Sequence, residues 1–503
     1  NYTWKKSVHS ITATGVFSAQ KYQYDRLYGA SKDLSFNSLW YNLNGGAIES
    51  LSSNFSQWTM MSYVGRINYG LMDRYLLTAS LRYDGSSRLS EGNKWALFPS
   101  AAIAWRITEE DFAKNLDWLS NLKLRFSYGQ AGNTNSVSPY ASEGTISGSV
   151  YYPFGTSTSV GNLPANIANP MLTWERTSEY NVGLDFGFLN QRISGNIEYY
   201  NRTTNDLLMK RNIPVHLGYS SVTSNVGSVR NSGFELQLNT ANIMTKNFAW
   251  NTTINLAYNK NEIVSLADEE DLSNYSIHLQ GMRGRYSDKR FIGKPVDTNW
   301  TQNTIGVWQL GEEEEAAKYG CVPGNFKIKD YNNDGKLTDD DYIIDGKRTP
   351  DWTGGMTNMF KIYDFDFSFH MYFQAGATQY DRFFENFALE WNSQNFNNLR
   401  TNYWTPENPS NTMGRPSQMG SRGNIAYERT DFLKVSYITL GYTLNKRLMS
   451  KWGLDNARIY VTVQNPFILT KFRGLDPEQP DLTNIGDTDG MTMNALLGVN
   501  ISF

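Results

Sequence analysis

The chain has 503 residues, of which 40% are hydrophobic and 19% are charged, and its formal net charge is −3. This balance excludes a strongly basic nucleic-acid-binding surface, and no run of about 18 apolar residues predicts a transmembrane helix. The single cysteine, Cys321, excludes an intrachain disulfide and a cysteine-based zinc site.

Along the chain, the main signal is an alternation of apolar and polar residues with a period of two, which predicts β-strands. No amphipathic helical pattern of comparable length competes, so we predict an all-β fold. About 15 strands are predicted, at residues 5–19, 23–36, 58–70, 73–84, 94–107, 120–131, 174–189, 191–204, 227–242, 246–260, 352–362, 365–376, 431–445, 456–466 and 492–503.

The final segment shows the alternation and the ambiguity that it carries. One face is apolar and ends on an aromatic residue, with Ala495, Leu497, Val499, Ile501 and Phe503. Asparagine, glycine and serine occupy the other face, and Leu496 is the exception there. A lipid-facing barrel strand needs such a pattern, but a half-buried strand of a soluble sandwich shows it too.

The lengths of the predicted connections resolve that ambiguity. Counted back from Phe503, long connections alternate with short ones, and only 85–93 is short for its place in the long series. Outer-membrane barrels have tight turns at one end and extended loops at the other. We therefore predict a transmembrane antiparallel β-barrel with long extracellular loops. About 15 strands is an odd number, whereas single-chain bacterial barrels usually have an even one, and an open sheet would leave an unpaired edge in lipid.

A twelve-residue segment between the predicted strands has the spacing of a calcium-binding loop. Oxygen ligands fall at positions 1, 3, 5, 9 and 12, and glycine occupies position 6. The segment Asn325–Lys329 before it is predicted to be extended, so this loop lacks the incoming helix of an EF-hand. We predict a structural Ca²⁺ site, with an Asx-rich surface turn as the alternative. The predicted ligands are Asp330, Asn332, Asp334, Lys336 through its carbonyl, Thr338 and Asp341.

Aromatic residues in the predicted long loops are candidate ligand contacts. Sugar rings and peptide side chains stack on such faces, but long loops also need small cores of their own. The candidates are Trp300, Trp308, Trp391 and Trp404. By contrast, the chain contains none of the common nucleophile, phosphate-loop or zinc-protease motifs, so we expect no catalysis.

Several segments resemble one known family over essentially the whole chain. They are LRYDGSS at 81–87, ALFPSAAIAWRI at 96–107, NPMLTWERTSEYNVGLDFGFLNQRISGNIEYYNRTTNDLL at 169–208, NSGFELQL at 231–238, the loop at 330–341, FLKVSYITLGYTL at 432–444 and QNPFILTKFRGLDPE at 464–478. Together they resemble SusC/RagA-type TonB-linked outer-membrane transporters, also called TonB-dependent transporters.

The resemblance implies a 22-stranded barrel that is plugged by an N-terminal domain and energised by TonB–ExbB–ExbD through that plug. It also implies a location in the outer membrane of a Gram-negative bacterium, and a SusD-like surface lipoprotein that closes over the barrel. On that alignment Asn1 falls near the eighth strand, so residues 1–503 are expected to be the C-terminal barrel portion, without the plug.

The leading hypothesis is therefore active import of a glycan or peptide by a barrel in contact with outer-membrane lipid. A passive porin or an adhesin-like surface barrel is the alternative, and a secreted, calcium-stabilised carbohydrate-binding protein is a third. No nucleic-acid partner is expected.

Overall fold

The computed structural model describes residues 1–36, 38, 40–213, 216, 218–219, 221–266, 273–274, 283–285, 290–389, 402–416, 421–445, 449, 453–480 and 491–503. Within these ranges, no helix has both the length and the apolar character needed to cross a membrane. Strands dominate, as the alternation predicts.

The strands are named in chain order. They are β1 (Tyr2–Lys6), β2 (His9–Lys32), β3 (Ala47–Leu71), β4 (Tyr75–Ser86), β5 (Trp95–Arg106), β6 (Leu119–Asn133), β7 (Ile146–Phe154), β8 (Ser157–Pro164), β9 (Glu175–Phe188), β10 (Ile193–Asn205), β11 (Leu208–Asn212), β12 (Ser221–Asn225), β13 (Ser228–Met244), β14 (Phe248–Ser265), β15 (Ser273–Asn274), β16 (Arg283–Arg285), β17 (Arg290–Phe291), β18 (Thr298–Gln302), β19 (Thr304–Val307), β20 (Phe326–Ile328), β21 (Tyr342–Lys347), β22 (Trp352–Ile362), β23 (Phe365–Ala375), β24 (Thr378–Tyr380), β25 (Tyr427–Arg429), β26 (Phe432–Thr443), β27 (Asn456–Thr470) and β28 (Asn494–Ser502).

Helical segments are short. The α-helices are α1 (Glu313–Lys318) and α2 (Arg382–Phe384), and a π turn, Glu385–Leu389, continues α2. Single 3₁₀ turns occur at Leu43–Gly45, Ile107–Glu109 and Asp339–Asp341.

Fifteen strands hydrogen-bond into one sheet in the order β1-β2-β3-β4-β5-β6-β9-β10-β13-β14-β22-β23-β26-β27-β28. The pairings run antiparallel, as between β14 and β22 or between β27 and β28. The other strands form small two- and three-stranded sheets inside the connections. In this sheet the fifteen strands lie side by side in the same order as in the chain. This is the pattern of an up-and-down meander.

The predicted division of the N-terminal segment was wrong. A turn was expected at 20–22, but β2 continues through it and pairs with β3 from His9↔Leu71 to Lys32↔Ala47. The actual turn is at residues 7–8, where Ser7 has a φ of +54°. Residues 20–22 contain no glycine, proline or asparagine, so nothing there favours a turn over the extended chain.

The alternation of connection lengths is confirmed. Because consecutive strands are antiparallel, successive connections lie at opposite ends of the sheet. Connections at 7–8, 72–74, 107–118, 189–192, 245–247, 363–364 and 444–455 form the short-turn end. The other end, called the long-loop end here, carries 33–46, 87–94, 134–174, 206–227, 266–351, 376–431 and 471–493.

The two faces of the sheet differ in chemistry. On β28, Leu497, Val499 and Ile501 are 75%, 55% and 51% exposed, and in register they pair with Val461, Ile459 and Ala457 of β27. Leu496 pairs with Thr462 and lies on the opposite side. We call the first side the apolar face and the second the polar face.

The chain divides into two compact units. Unit 1 contains 1–105, 126–180 and 202–228, and unit 2 contains 106–125, 181–201 and 229–503. Within unit 1, a buried cluster at the long-loop end includes Leu89, Phe98, Leu172, Trp174 and Leu208. Within unit 2, separate clusters lie inside the long connections. The buried apolar groups therefore lie mainly in and beneath the loops.

The two faces predict opposite effects for two adjacent leucines. Leu497→Arg places a charge on the apolar face and should cost about 2–4 kcal/mol if that face contacts hydrocarbon. Leu496→Arg places the same charge on the polar face and should be tolerated. The measurement is the folded fraction of each full-length variant in membranes, read from heat-dependent gel mobility. Equal folded fractions would contradict the assignment of the faces.

Candidate functional site

A charged network joins three strands on the polar face of unit 2. Arg125 of β6 donates from Nη2 to Asp185 Oδ1 of β9 at 2.8 Å and to Glu198 Oε1 of β10 at 2.7 Å. Lys123 Nζ lies 3.2 Å from the other Asp185 oxygen. A Cβ on Gly183 would come within 2.9 Å of the Arg125 guanidinium carbon, so glycine leaves room for this crossing and a larger residue would displace the guanidinium.

A second arginine makes the same kind of crossing. Arg458 of β27 reaches over β26 and donates from Nε to Asp366 Oδ1 of β23 at 2.8 Å. A Cβ on Gly441 would lie 2.5 Å from Arg458 Nη2. Charge-assisted hydrogen bonds are among the strong ones, so both crossings brace neighbouring strands and hold charge on this face.

A depression of about 430 Å³ lies on the polar face of the same unit, between β10 and β23. Small residues, including Gly354 and Gly355, line it together with a mixed set of polar side chains: Asn196, Glu198, Glu235, Gln237, Asn255, Thr353, His370 and Tyr372. His370 Nδ1 lies 2.8 Å from Thr357 Oγ1, and its ring stacks on Tyr437. Such a mixture of donors and acceptors suits a polar ligand.

Three of the four predicted ligand-stacking tryptophans lie inside loop cores. Trp300 packs on Phe291 and Tyr342, and it is only 4% exposed. Trp308 stacks on Tyr319 and lies beneath the Lys327 ammonium at 4.2 Å. Trp404 donates from Nε1 to Gln309 Oε1 at 3.0 Å. Ligand contact by these rings stays a prediction that their burial does not favour, and Trp391 lies outside the described residues.

The core around Trp404 joins two long connections. It contains Val307 and Phe326 from 266–351, and Phe384, Ala388, Trp404, Met413 and Ala426 from 376–431. Arg473, from the connection after β27, places its guanidinium 4.0 Å from the Phe384 ring and pairs with Glu428. Three connections at the long-loop end are therefore packed together.

Asp381 lies fully buried where these connections meet. Its Oδ1 accepts from the Phe384 N–H at 2.9 Å and caps α2, while Oδ2 has no hydrogen-bond partner among the described residues. Burial raises the pKa of Asp381 to about 6, and the charges that act on it come from Glu428 and Arg473. The carboxyl group therefore titrates near neutral pH.

In the predicted calcium loop, aspartate carboxylates accept hydrogen bonds from backbone N–H groups of the same loop. Asp330 Oδ2 accepts from the Gly335 N–H at 2.9 Å, and Gly335 has a φ of +77°, which favours glycine at this turn. Both oxygens of the buried Asp341 accept backbone N–H groups, from Tyr331 and Thr338. The segment before the loop is the extended β20, as predicted.

The fit of this loop to a cation is partial. Lys336 donates its N–H to Asp334 Oδ1 at 2.8 Å, and Asp334 donates its own N–H to Asn332 Oδ1 at 3.1 Å. Within the described residues, no three Asp, Glu, His or Cys side chains group as a metal-ligand set. Asp330 Oδ2 also accepts from the Tyr319 hydroxyl at 3.1 Å, whereas Asp330 Oδ1 and both Asp341 oxygens each accept one backbone N–H and keep a second lone pair. The Ca²⁺ site therefore stays a prediction.

The sequence analysis did not single out the charged residues of these crossings or their partnerships. Arg125 and Asp185 are 60 residues apart, and Arg458 and Asp366 are 92 apart. Period-two alternation reports only the face of each side chain. A glycine on the middle strand is the one local signal for a crossing, and many glycines occur in strands for other reasons.

Comparison with known proteins gives a consistent result. The family model described as TonB dependent receptor-like, beta-barrel matches residues 2–353. SusC, a TonB-dependent receptor of Bacteroides thetaiotaomicron, is 35% identical over 457 residues, which are 88% of this chain and 44% of SusC. A TonB-dependent receptor of Formosa agariphila is 33% identical over 98% of this chain and 51% of its own length.

The fold is shared with a solved transporter. The structure of the RagAB peptide importer in its open-open state superposes with a TM-score of 0.83 and 24% identity, covering 100% of this chain and 54% of that one. This chain spans about half the length of the curated relatives that it matches.

The raised pKa of Asp381 predicts that the loop core is pH-sensitive. Because the folded-state pKa of about 6 exceeds the ordinary value of 3.8, the folded state binds the proton more tightly. The contribution of Asp381 to the stability of this core should therefore be fully present below about pH 4 and should be lost as the pH rises through about 6. Asp381→Asn, which keeps the Phe384 cap acceptor, should remove that dependence.

Hydrogen exchange of residues 381–389 between pH 5 and pH 7.5, corrected for intrinsic rates, measures this change. Glu314→Gln, an exposed acidic residue of α1, is the control. Equal pH dependence in Asp381→Asn and the parent would contradict the assignment.

Proposed function

The chain belongs to the TonB-dependent receptor β-barrel family, and we propose that it forms the barrel wall of an active importer of SusC/RagA type. As a member of this family it is an outer-membrane protein, whose apolar face contacts lipid and whose polar face lines the interior. The proposed cargo is an oligosaccharide or a peptide.

One observation supports import more than any other. The long connections lie at one end of the sheet, where several of them pack into shared cores, while the polar face carries a hydrogen-bonding depression. A structure that first captures a ligand outside and then releases it into a polar interior needs both features. We assign no catalytic step to any residue of this chain.

Two partners are part of the proposal. A SusD-like lipoprotein would cover the long-loop end, because SusC and RagAB relatives support such a partnership. TonB–ExbB–ExbD would act through a plug domain of the full-length protein. Energy would then enter from the short-turn end and the ligand from the long-loop end.

Import is tested with the full-length protein in its host. Growth on the oligosaccharide or peptide as the only carbon source should require both this protein and a functional TonB. The alternative, a passive porin or adhesin-like barrel, predicts growth without TonB and steady single-channel conductance in a planar bilayer. Growth that persists in a TonB-deficient strain, together with that conductance, would refute active import.

We also propose that the 330–341 loop binds Ca²⁺ and pins the connection 266–351. Calcium should protect this connection of the full-length protein from protease, at concentrations up to about the millimolar range typical of extracellular modules. Asp330→Ala with Asp334→Ala should abolish the protection, and the exposed Glu314→Ala should keep it. Cleavage of the parent protein that does not change with a calcium chelator would overturn the assignment.

A further inference from the structure

A groove of about 1100 Å³ lies on the apolar face of unit 2, where β23, β26 and β27 reach the long-loop end. Its floor is a row of three apolar side chains in register, Phe373, Leu433 and Leu469. Leu433 is 38% exposed and Leu469 is 61% exposed. A hollow on this face would be filled by lipid in the membrane, because the face contacts hydrocarbon.

Charged residues form the rim of the groove. Arg429 pairs with Asp431 at 2.7 Å, and its side chain is still 68% exposed. Asp431 is fixed in turn, because its Oδ1 accepts the Gly376 N–H at 2.7 Å. Lys471 also lines the groove, is exposed, and has no ion-pair partner among the described residues. The rim therefore carries two cations and one anion.

The position of the rim decides between possible occupants. Long loops of this family are extracellular, so the rim lies at the level of the head groups of the external leaflet. A basic side chain near a membrane surface attracts anionic head groups, and phosphate accepts strong charge-assisted hydrogen bonds from Arg and Lys. Basic side chains that merely extend towards water would not require an apolar hollow directly beneath them.

We propose that this groove is a specific site for a phosphorylated glycolipid of the external leaflet. Its acyl chain lies along Phe373, Leu433 and Leu469, and its phosphate is held by Arg429 and Lys471. Asp431 keeps Arg429 at the rim. The site is independent of the cargo and of active import, and it depends only on the orientation of the barrel.

The test uses the full-length protein in detergent and native mass spectrometry, with bis-phosphorylated lipid A as the probe. Lys471→Gln should weaken binding roughly fivefold, the value expected for one basic residue near a membrane surface. Arg429→Gln with Lys471→Gln should weaken it further. Leu469→Ala should also weaken it without changing any charge.

Two comparisons make the result specific. Lys246→Gln removes an exposed charge from the 245–247 turn at the other end of the strands and should leave binding unchanged. Dephosphorylated lipid A should bind the parent protein more weakly and should not respond to Lys471→Gln. Phosphatidylglycerol is the competing lipid and should bind more weakly than lipid A.

Any of three results would overturn the proposal. They are parent-like lipid A binding by the Arg429→Gln/Lys471→Gln variant, an equal loss in Lys246→Gln, and equally tight, Lys471-dependent binding of phosphatidylglycerol. Heat-dependent gel mobility shows whether each variant is folded, and the exposed position of Lys471 makes misfolding of its variant unexpected.

Discussion

The hydrogen-bonded ladder of the 15-stranded sheet is the constraint on which the rest of the structure depends. In a bilayer each backbone N–H and C=O must find a partner within the protein, because lipid offers none. Antiparallel pairing between consecutive strands meets that need with short turns at one end. Side chains then alternate between a face that contacts hydrocarbon and a face that contacts water. Because of this alternation, a chain of ordinary overall polarity can form one face that is apolar enough for the bilayer.

Function is distributed over regions that the ladder does not occupy. On the polar face, arginines cross neighbouring strands over glycines and reach carboxylates, so charge is held there in fixed positions. At the long-loop end the connections build cores of their own, and Asp381 is buried among them. The sheet thus provides the polar face and supports the packed connections at the long-loop end, while its apolar face contacts the membrane.

Particular residues show why sequence reasoning succeeded on the strands and failed on the contacts. The alternation in β10, β23 and β28 is local, so it can be read without knowing any neighbour. The turn at 7–8 was missed because residues 5–19 continue the alternation and Ser7 and Val8 carry no strong turn signal. Trp300, Trp308 and Trp404 are of a residue type that stacks on ligands, but the residue type does not reveal whether the faces of its ring are covered by other side chains.

The sequence by itself determined the all-β class, the order of the strands and the end at which the long connections lie, because period-two patterning and connection length are local properties of the chain. Only the tertiary structure decided which side chains meet. Arg125 meets Asp185 and Glu198, three connections close around Asp381, and a hollow forms above Leu433, because pairing register brings together residues that lie tens of positions apart. Turn geometry sets the register of strands joined by short turns, but it does not specify which side chains meet across a third strand or between long connections.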